Sequence, residues 1–468
     1  MTFVSDHITS SSPLPDGAAG MIAVSHDMLE RLKTRFGDVP ALTSFLRRTI
    51  LDIEDALSDQ MSAIIEHPEF QEMEARWTGL ASVVWAKRGA PSVKIKLLDL
   101  SWNELSRDLH YTSELRQSIL YKLMGQRELD TMGGEPFGIA MLDHPLSMSL
   151  ETEFDDLYTA QLVCELGEAV MCPIIMGLAD DFLGEKDAAW LSDARRVSNV
   201  LHSDEYRSWQ ALRNRPNARF LSLVMLKTQL RSRYQDRDIG FRFHQWPSQS
   251  DGLWASAAYD FLRTVISEFL RYAWFGFLKL VGSYAGEGAV LAPTEHPIPE
   301  GCNRGVRAHI RMTRNLAHIY AEQGFIPLAE SPKNNLLYFV GNRSVTNTGG
   351  NAASEIVTQL QSVMIACRIV HYLKVQIRAL IGQVKTSAEC EQILNDWFDP
   401  YVSGSSSSNE LQARFPLQGA RVRISESTTD AARFHCEVVV RPQFQIDNVL
   451  GDITLRTDFG AGLAGKAA

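Results

Sequence analysis

A chain of 468 residues with 45% hydrophobic and 22% charged content has the composition of a globular protein with room for two or three domains and a large core. Its formal net charge of -10 argues against a dedicated nucleic-acid binder, and no apolar run approaches the ~20 residues of a membrane span. The first residues carry no basic n-region and no apolar h-region, and the six scattered cysteines form no CxxC pair, so the expectation is a cytosolic protein with reduced, buried thiols.

Residues 1–20 are rich in Ser, Pro and Gly and read as extended or disordered. Residues 28–36 predict a short amphipathic helix with Leu29, Leu32 and Phe36 on one side, broken at Asp38 and Pro40. Residues 43–66 predict a longer helix striped by Leu46, Ile50, Ile53, Leu57, Met61 and Ile64. Such a stripe either packs on its own domain or faces a partner, and the pattern leaves both open. Next come Leu57-Ser58-Asp59-Gln60, His67-Pro68-Glu69-Phe70-Gln71 and Glu74-Ala75-Arg76-Trp77-Thr78-Gly79-Leu80. Pro68 ends one helix and opens the next, which Phe70, Met73, Trp77 and Leu80 are expected to dock by burial.

Residues 93–100 alternate Val, Ile and Leu with Lys and read as a strand. Gly133-Gly134-Glu135-Pro136-Phe137-Gly138 reads as a tight turn into a buried strand at 139–142; it lacks the Gly-Lys-Ser/Thr of a phosphate loop. Residues 154–171 read as a helix, 173–178 as a short apolar strand and 219–223 as a central strand, an alternation that points to an α/β layer. The run Ser203-Asp204-Glu205-Tyr206-Arg207-Ser208-Trp209 lies between them. Arg213, Arg215, Arg219, Arg231, Arg233, Arg237 and Arg242 make a basic zone, read as ion pairs and solvated faces rather than a nucleic-acid contact. Residues 253–281 read as one helix with a bulky face of Phe269, Tyr272, Trp274, Phe275 and Phe277, and Gly324-Phe325-Ile326-Pro327-Leu328 closes the following segment.

The stretch 351–402 organises the rest. Ile356, Leu360, Val363, Met364, Cys367, Val370, Leu373, Lys374, Ile377 and Ile381 fall at three- and four-residue steps, so a long helix must pack against something large. A second short helix at 388–397 precedes Pro400. After a Ser/Gly linker at 403–409 the pattern changes to period two: Arg421-Val422-Arg423-Ile424, parts of 434–441 and Ile453-Thr454-Leu455-Arg456 read as three strands. Val438 and Val440 share one face.

Catalytic constellations are poor. Gly460, Gly462 and Gly465 spell G-x-G-x-x-G, but no helix can follow before Ala468. There is no H-E-x-x-H, no G-x-S-x-G elbow and no metal-ligand spacing among the twelve histidines.

Several of these runs carry a resemblance. Arg368, His371-Tyr372-Leu373-Lys374, Ile381-Gly382, Cys390, Leu394 and Trp397, the three runs between Leu57 and Leu80, the Gly133–Gly138 turn, the Ser203–Trp209 run, Gly324–Leu328 and the Arg441–Gln445 segment stand in the same order as in a known family. Over residues 57–457 the chain resembles the large sheath subunit of bacterial type VI secretion systems (TssC, also called VipB). The resemblance implies a structural protein without cofactor, metal or catalytic residue. It implies pairing with a small sheath subunit (TssB/VipA-like), stacking of many copies around an Hcp inner tube on a baseplate, and recycling by a ClpV-type AAA+ unfoldase, for which residues 28–36 are the candidate despite a segment before Leu57 shorter than the family's.

The expected fold is mixed α/β (α+β): central mixed sheets flanked by helices, N-terminal helices, and C-terminal strands forming an inter-subunit sheet. The expected division is 1–56, 57–402 and 403–468. Leu29, Leu32, Phe36, Arg421, Val422, Arg423, Ile424, Val438 and Val440 are the candidate interface residues. An accessory sheath paralogue or cap-like component, and an enzyme with an unrecognised site, are the alternatives.

Overall fold

A computed structural model describes residues 31, 34–35, 37–149, 153–184, 188–235, 237–238, 240–245, 251–276, 278, 291, 307–331, 336–350, 355, 357–380, 387–402, 414–426, 433–442 and 452–460. The chain divides into two compact units, Met1–His67 with Tyr234–Gln249, and Pro68–Arg233 with Ser250–Ala468. The fold is mixed α/β with sheets flanked by helices, as the alternating pattern predicts.

The smaller unit is built on helix α1 (Val39–Ile65). Asp38 caps it, its carboxylate accepting from the Ala41 N–H at 2.8 Å, and Pro40 occupies the first turn. A two-residue antiparallel pair, Arg237–Asp238 with Arg242–Phe243, covers one side of α1. Ser58 Oγ donates to the Arg242 carbonyl, Glu54 accepts from the Arg242 N–H at 3.2 Å, and Gln245 Nε2 donates to Glu66 at 3.2 Å. The apolar stripe is not on that side. Leu46, Ile50, Ile53, Leu57 and Ile64 are exposed and Met61 is half-buried, so among the described residues the stripe has little cover.

The larger unit opens with α2 (Pro68–Ala86) and α3 (Trp102–Tyr111), the latter started by a capping box between Ser101 and Glu104. A four-stranded, all-parallel sheet follows, in the order β1 (Ala140–Leu146), β2 (Ile174–Leu178), β3 (Leu221–Val224) and the short strand Phe325–Ile326. β2 and β3 lie inside the sheet and are buried almost throughout, whereas β1 is an edge and only half-buried, not the buried strand expected at 139–142. Helix α4 (Asp156–Val170) covers the sheet; it is capped by Asp155 and stopped at Met171 in the left-handed region (φ 53°). Trp209 is wholly buried, stacked on Phe325 at 5.7 Å and edge-on to Phe182 at 5.2 Å, while Tyr206 donates to the Phe182 carbonyl at 2.7 Å. The Ser203–Trp209 run is therefore a core anchor.

Three expectations are corrected. Leu253–Ser256 is not the start of a helix but strand β5, antiparallel to β4 (Lys227–Arg231); helix α5 (Ala258–Tyr272) begins only after Ser256 Oγ has accepted from the Ala258 N–H. Trp77 is 62% exposed rather than buried. The buried face of α2 is made of Ala75, Gly79, Ser82 and Val83, and a Cβ on Gly79 would stand 2.9 Å from the Tyr259 ring. Close approach to α5 selects small residues, and Trp77 points away from them. Among the described residues, 93–100 pair with no strand. Val93 and Ile95 pack against the α2–α5 cluster, while Lys94 pairs with Glu135 and Lys96 with Glu128, so ion pairs rather than a ladder produce the alternation. Those two acids belong to the glycine turn and its approach. A Cβ on Gly134 would stand 2.3 Å from the Glu128 carbonyl oxygen, so only glycine fits there.

Helix α6 (Leu360–Leu380) is buried on nearly every side from Leu360 to Leu373. Arg368 lies over the rings of Phe269 (4.7 Å), Trp274 (4.5 Å) and Tyr372 (5.3 Å), and donates to the Ala273 carbonyl at 2.6 Å and to the Tyr372 hydroxyl at 2.8 Å. This ties the left-handed end of α5 to α6. Helix α7 (Ser387–Asp396) follows and delivers Trp397, half-buried against the core, and Phe398, fully inside it.

Two outcomes follow from these environments. Trp209→Ala should lose about 3–5 kcal/mol in denaturant unfolding, whereas Trp77→Ala should stay within about 0.5 kcal/mol; equal losses would reverse the burial assignment. Burial pushes the His371 imidazole down to about 4 and the Glu268 carboxyl up to about 7. As pH falls from about 6.5 to 4, the unfolded chain takes up a proton that folded His371 refuses, so stability drops. As pH rises from about 4.3 to 7, folded Glu268 keeps a proton that the unfolded chain releases, so stability also drops. Glu268→Gln should match the parent near pH 4 and exceed it at pH 8 by up to roughly 3 kcal/mol; urea unfolding at both pH values checks this.

Candidate assembly surfaces

The three period-two stretches form one antiparallel sheet in the order β6 (Leu417–Glu426), β7 (Arg433–Pro442), β8 (Ile453–Gly460). Val422 stands opposite Val438 and Val438 opposite Leu455; Ala420, Val440 and Ile453 make the next row. Val422, Val438, Val440, Ile453 and Leu455 are buried on the face against α6 and α7, with Ile424 half-buried, while Arg421 and Arg423 are exposed on the other. The structure thus brings together the candidate residues of this region and separates them by face as their alternation predicts. Leu29, Leu32 and Phe36 lie outside the described residues.

The two edges of this sheet differ. On β6, Asn395 of α7 accepts from the Val422 N–H at 2.9 Å and donates to the Val422 carbonyl at 3.2 Å, and Glu391 accepts from the Ile424 N–H at 3.1 Å. A carboxamide and a carboxylate stand where another strand's backbone would be, so this edge is sealed by its own helix. The alternation that turns Val422 outward assigns the ladder bonds of Val438 to Leu455. Leu455 and Ile453 then point their N–H groups at β7, and Thr454 and Arg456 point theirs out of the sheet. Among the described residues nothing pairs with that outer edge of β8. Sequence reading missed Asn395 and Glu391. Their only signal is a polar pair spaced i, i+4 on a helix just before a strand region.

Four arginines of the basic zone, Arg215, Arg219, Arg231 and Arg233, meet carboxylates within the chain. Arg231, 4% exposed, grips Glu74 through two bonds of 2.6 and 2.7 Å; Arg215 meets Glu165 at 3.3 Å, Arg219 meets Glu168 at 3.5 Å, and Arg233 and Arg307 share Asp251. Arg213 is buried and donates to the Val345 carbonyl at 2.9 Å; burial alone lowers it to about 10. Cys164, Cys172, Cys367 and Cys436 are free buried thiols, and desolvation pushes Cys367 and Cys436 up to about 12, far from the thiolate a nucleophile needs. Among the described residues no group of His, Cys, Asp and Glu is placed to hold a metal ion, and no helix is long and apolar enough to cross a membrane.

Residues 47–346 match the family model described as the EvpB/VC_A0108 tail sheath N-terminal domain (VipB), and residues 350–459 match its companion, the tail sheath gpW/gp25-like domain. The type VI secretion system sheath protein TssC1 of Pseudomonas aeruginosa is 25% identical over 427 residues, 87% of this chain and 84% of that one. Among solved structures, a sheath tail protein from Desulfitobacterium hafniense is 11% identical with a TM-score of 0.32, covering 66% of this chain and 62% of that one. Another from Listeria innocua is 12% identical with a TM-score of 0.31, covering 66% and 60%. In both, less than two thirds of the solved chain is spanned. The family matches together reach from the middle of α1 to the last residues of β8, and the chain belongs to the VipB family, the large (TssC) subunits of the type VI secretion tail sheath.

Proposed function

We propose that this structural sheath subunit forms the main filament: it pairs with a small TssB/VipA-like subunit, and the pairs stack helically around an Hcp inner tube seated on a baseplate. The observation that carries this reading is the one-sided C-terminal sheet, with β6 sealed by Asn395 and Glu391 and β8 open. A sheet closed at one edge and open at the other accepts one extended segment from a neighbour, in one direction only. Repeated, that contact is heterologous and does not close on itself, which is the geometry of a filament. Backbone bonds across β8 can stay formed while the rest of the subunit rotates, so contraction is a rigid-body rearrangement between packed states and needs no cofactor and no catalytic step.

In this reading residues 1–56 are the tail and partner-facing helices, with Leu29, Leu32 and Phe36 the candidate contact for a ClpV-type unfoldase. Residues 57–402 are the main body and residues 403–468 the lattice-forming strand region. The protein works in the cytoplasm, away from membrane and nucleic acid.

The test is a pair of prolines in one strand, with the chain co-expressed with its small partner. Thr454→Pro removes a donor from the open edge and leaves the β7 ladder whole; it should preserve the heterodimer in size exclusion and abolish filaments in negative-stain images. Leu455→Pro removes a donor from the internal ladder and should cost both. Normal filaments from Thr454→Pro would overturn the reading.

A further inference from the structure

Residues 93–100 have the side chains and the course of a strand but none of its backbone bonds. Val93, Ile95, Leu97, Leu98 and Leu100 are apolar, and the segment holds no glycine, proline, asparagine or serine to turn a loop. It runs without turn or bend to Ser101, the cap of α3. Val93, Lys94, Ile95 and Lys96 alternate between half-buried and exposed, the period of extended backbone. Val93 and Ile95 pack against the α2–α5 cluster, while the amines of Lys94 and Lys96 meet Glu135 and, at 2.8 Å, Glu128. The first half of the segment is thus held extended before any partner arrives, which lowers the cost of ordering it on binding.

Among the described residues, no backbone N–H or C=O from Val93 to Leu100 hydrogen-bonds to another group of the chain. A straight row of such groups is a template for another strand. Beyond Lys96 the side chains lose their cover too. Leu97 is 65% and Leu98 53% exposed; Leu100 is exposed, as is Met132 on the chain between Glu128 and Glu135. Water can serve the backbone groups, but it leaves the leucines bare. A helix laid on the leucines would cover them and leave the backbone row without partners. An added strand meets both needs at once.

We infer that residues 93–100 are the edge on which the small partner docks, through one extended segment that is apolar at alternate positions. The inference rests on the pairing proposed above and names where it occurs. In that reading the β8 edge is taken up by the lattice, so a pair that exists before the lattice needs a second surface. This one lies in the main body, outside the C-terminal sheet.

Amide hydrogen exchange, read residue by residue on the chain alone and on the chain co-purified with its small partner, tests this. Alone, the amides of 93–100 should exchange freely. In the pair, every second one should slow at least about tenfold, those whose N–H groups face the added strand. Leu97→Pro and Leu98→Pro should each leave the melting temperature of the chain alone unchanged, because neither removes an existing bond. One of the two should weaken the pair at least about tenfold relative to alanine at the same position, and the other should not. Failure to co-purify would overturn the pairing and this inference together. A pair in which 93–100 exchange as in the chain alone, protection already present without the partner, protection that appears only in filaments, or two prolines of equal effect would each overturn this inference and leave the pairing standing.

Discussion

The burial of helix α6 is the constraint from which the larger unit follows. From Leu360 to Leu373 almost every side chain is inside, so the helix needs cover all round and not along one stripe. One side is met by the turn Pro216–Phe220, which leads into β3 of the parallel sheet; another is met by β7 and β8 of the C-terminal sheet and by α7. Arg368 fixes the height of α6: a guanidinium among three aromatic rings, donating to the Ala273 carbonyl where α5 ends, has one place to sit. Its carbonyl and ring partners replace the water that the guanidinium loses.

How much of this was legible depended on whether a residue's environment is local. The α6 stripe, the three C-terminal strands and the split between Val422 and Arg421 follow from periodicity, which one strand or helix carries by itself. Trp77 and Trp209 sit in equally suggestive runs, yet one is in water and the other in the core, because the choice of buried face on α2 is made by Gly79 meeting Tyr259, 180 residues away in sequence. Residues 93–100 have the alternation of a strand, yet among the described residues no strand lies beside them; Lys94 and Lys96 meet Glu135 and Glu128 instead. Residues 253–256 carry helix-tolerant side chains and become β5 because β4 offers a ladder. The sealing of β6 by Asn395 and Glu391 was illegible for the same reason: it joins a helix to a strand across a linker.

Sealing one edge matters as much as leaving the other open. An unprotected three-stranded sheet has two templates for another chain's backbone, and two templates allow branching or wrong polarity. With β6 occupied by α7, the sheet presents a single edge among the described residues. The sealing groups come from α7, the helix that follows α6, which Leu394 anchors in the core while its outer face stays exposed. The edge of β8 lies on the far side of the sheet from α7, and nothing among the described residues pairs with it.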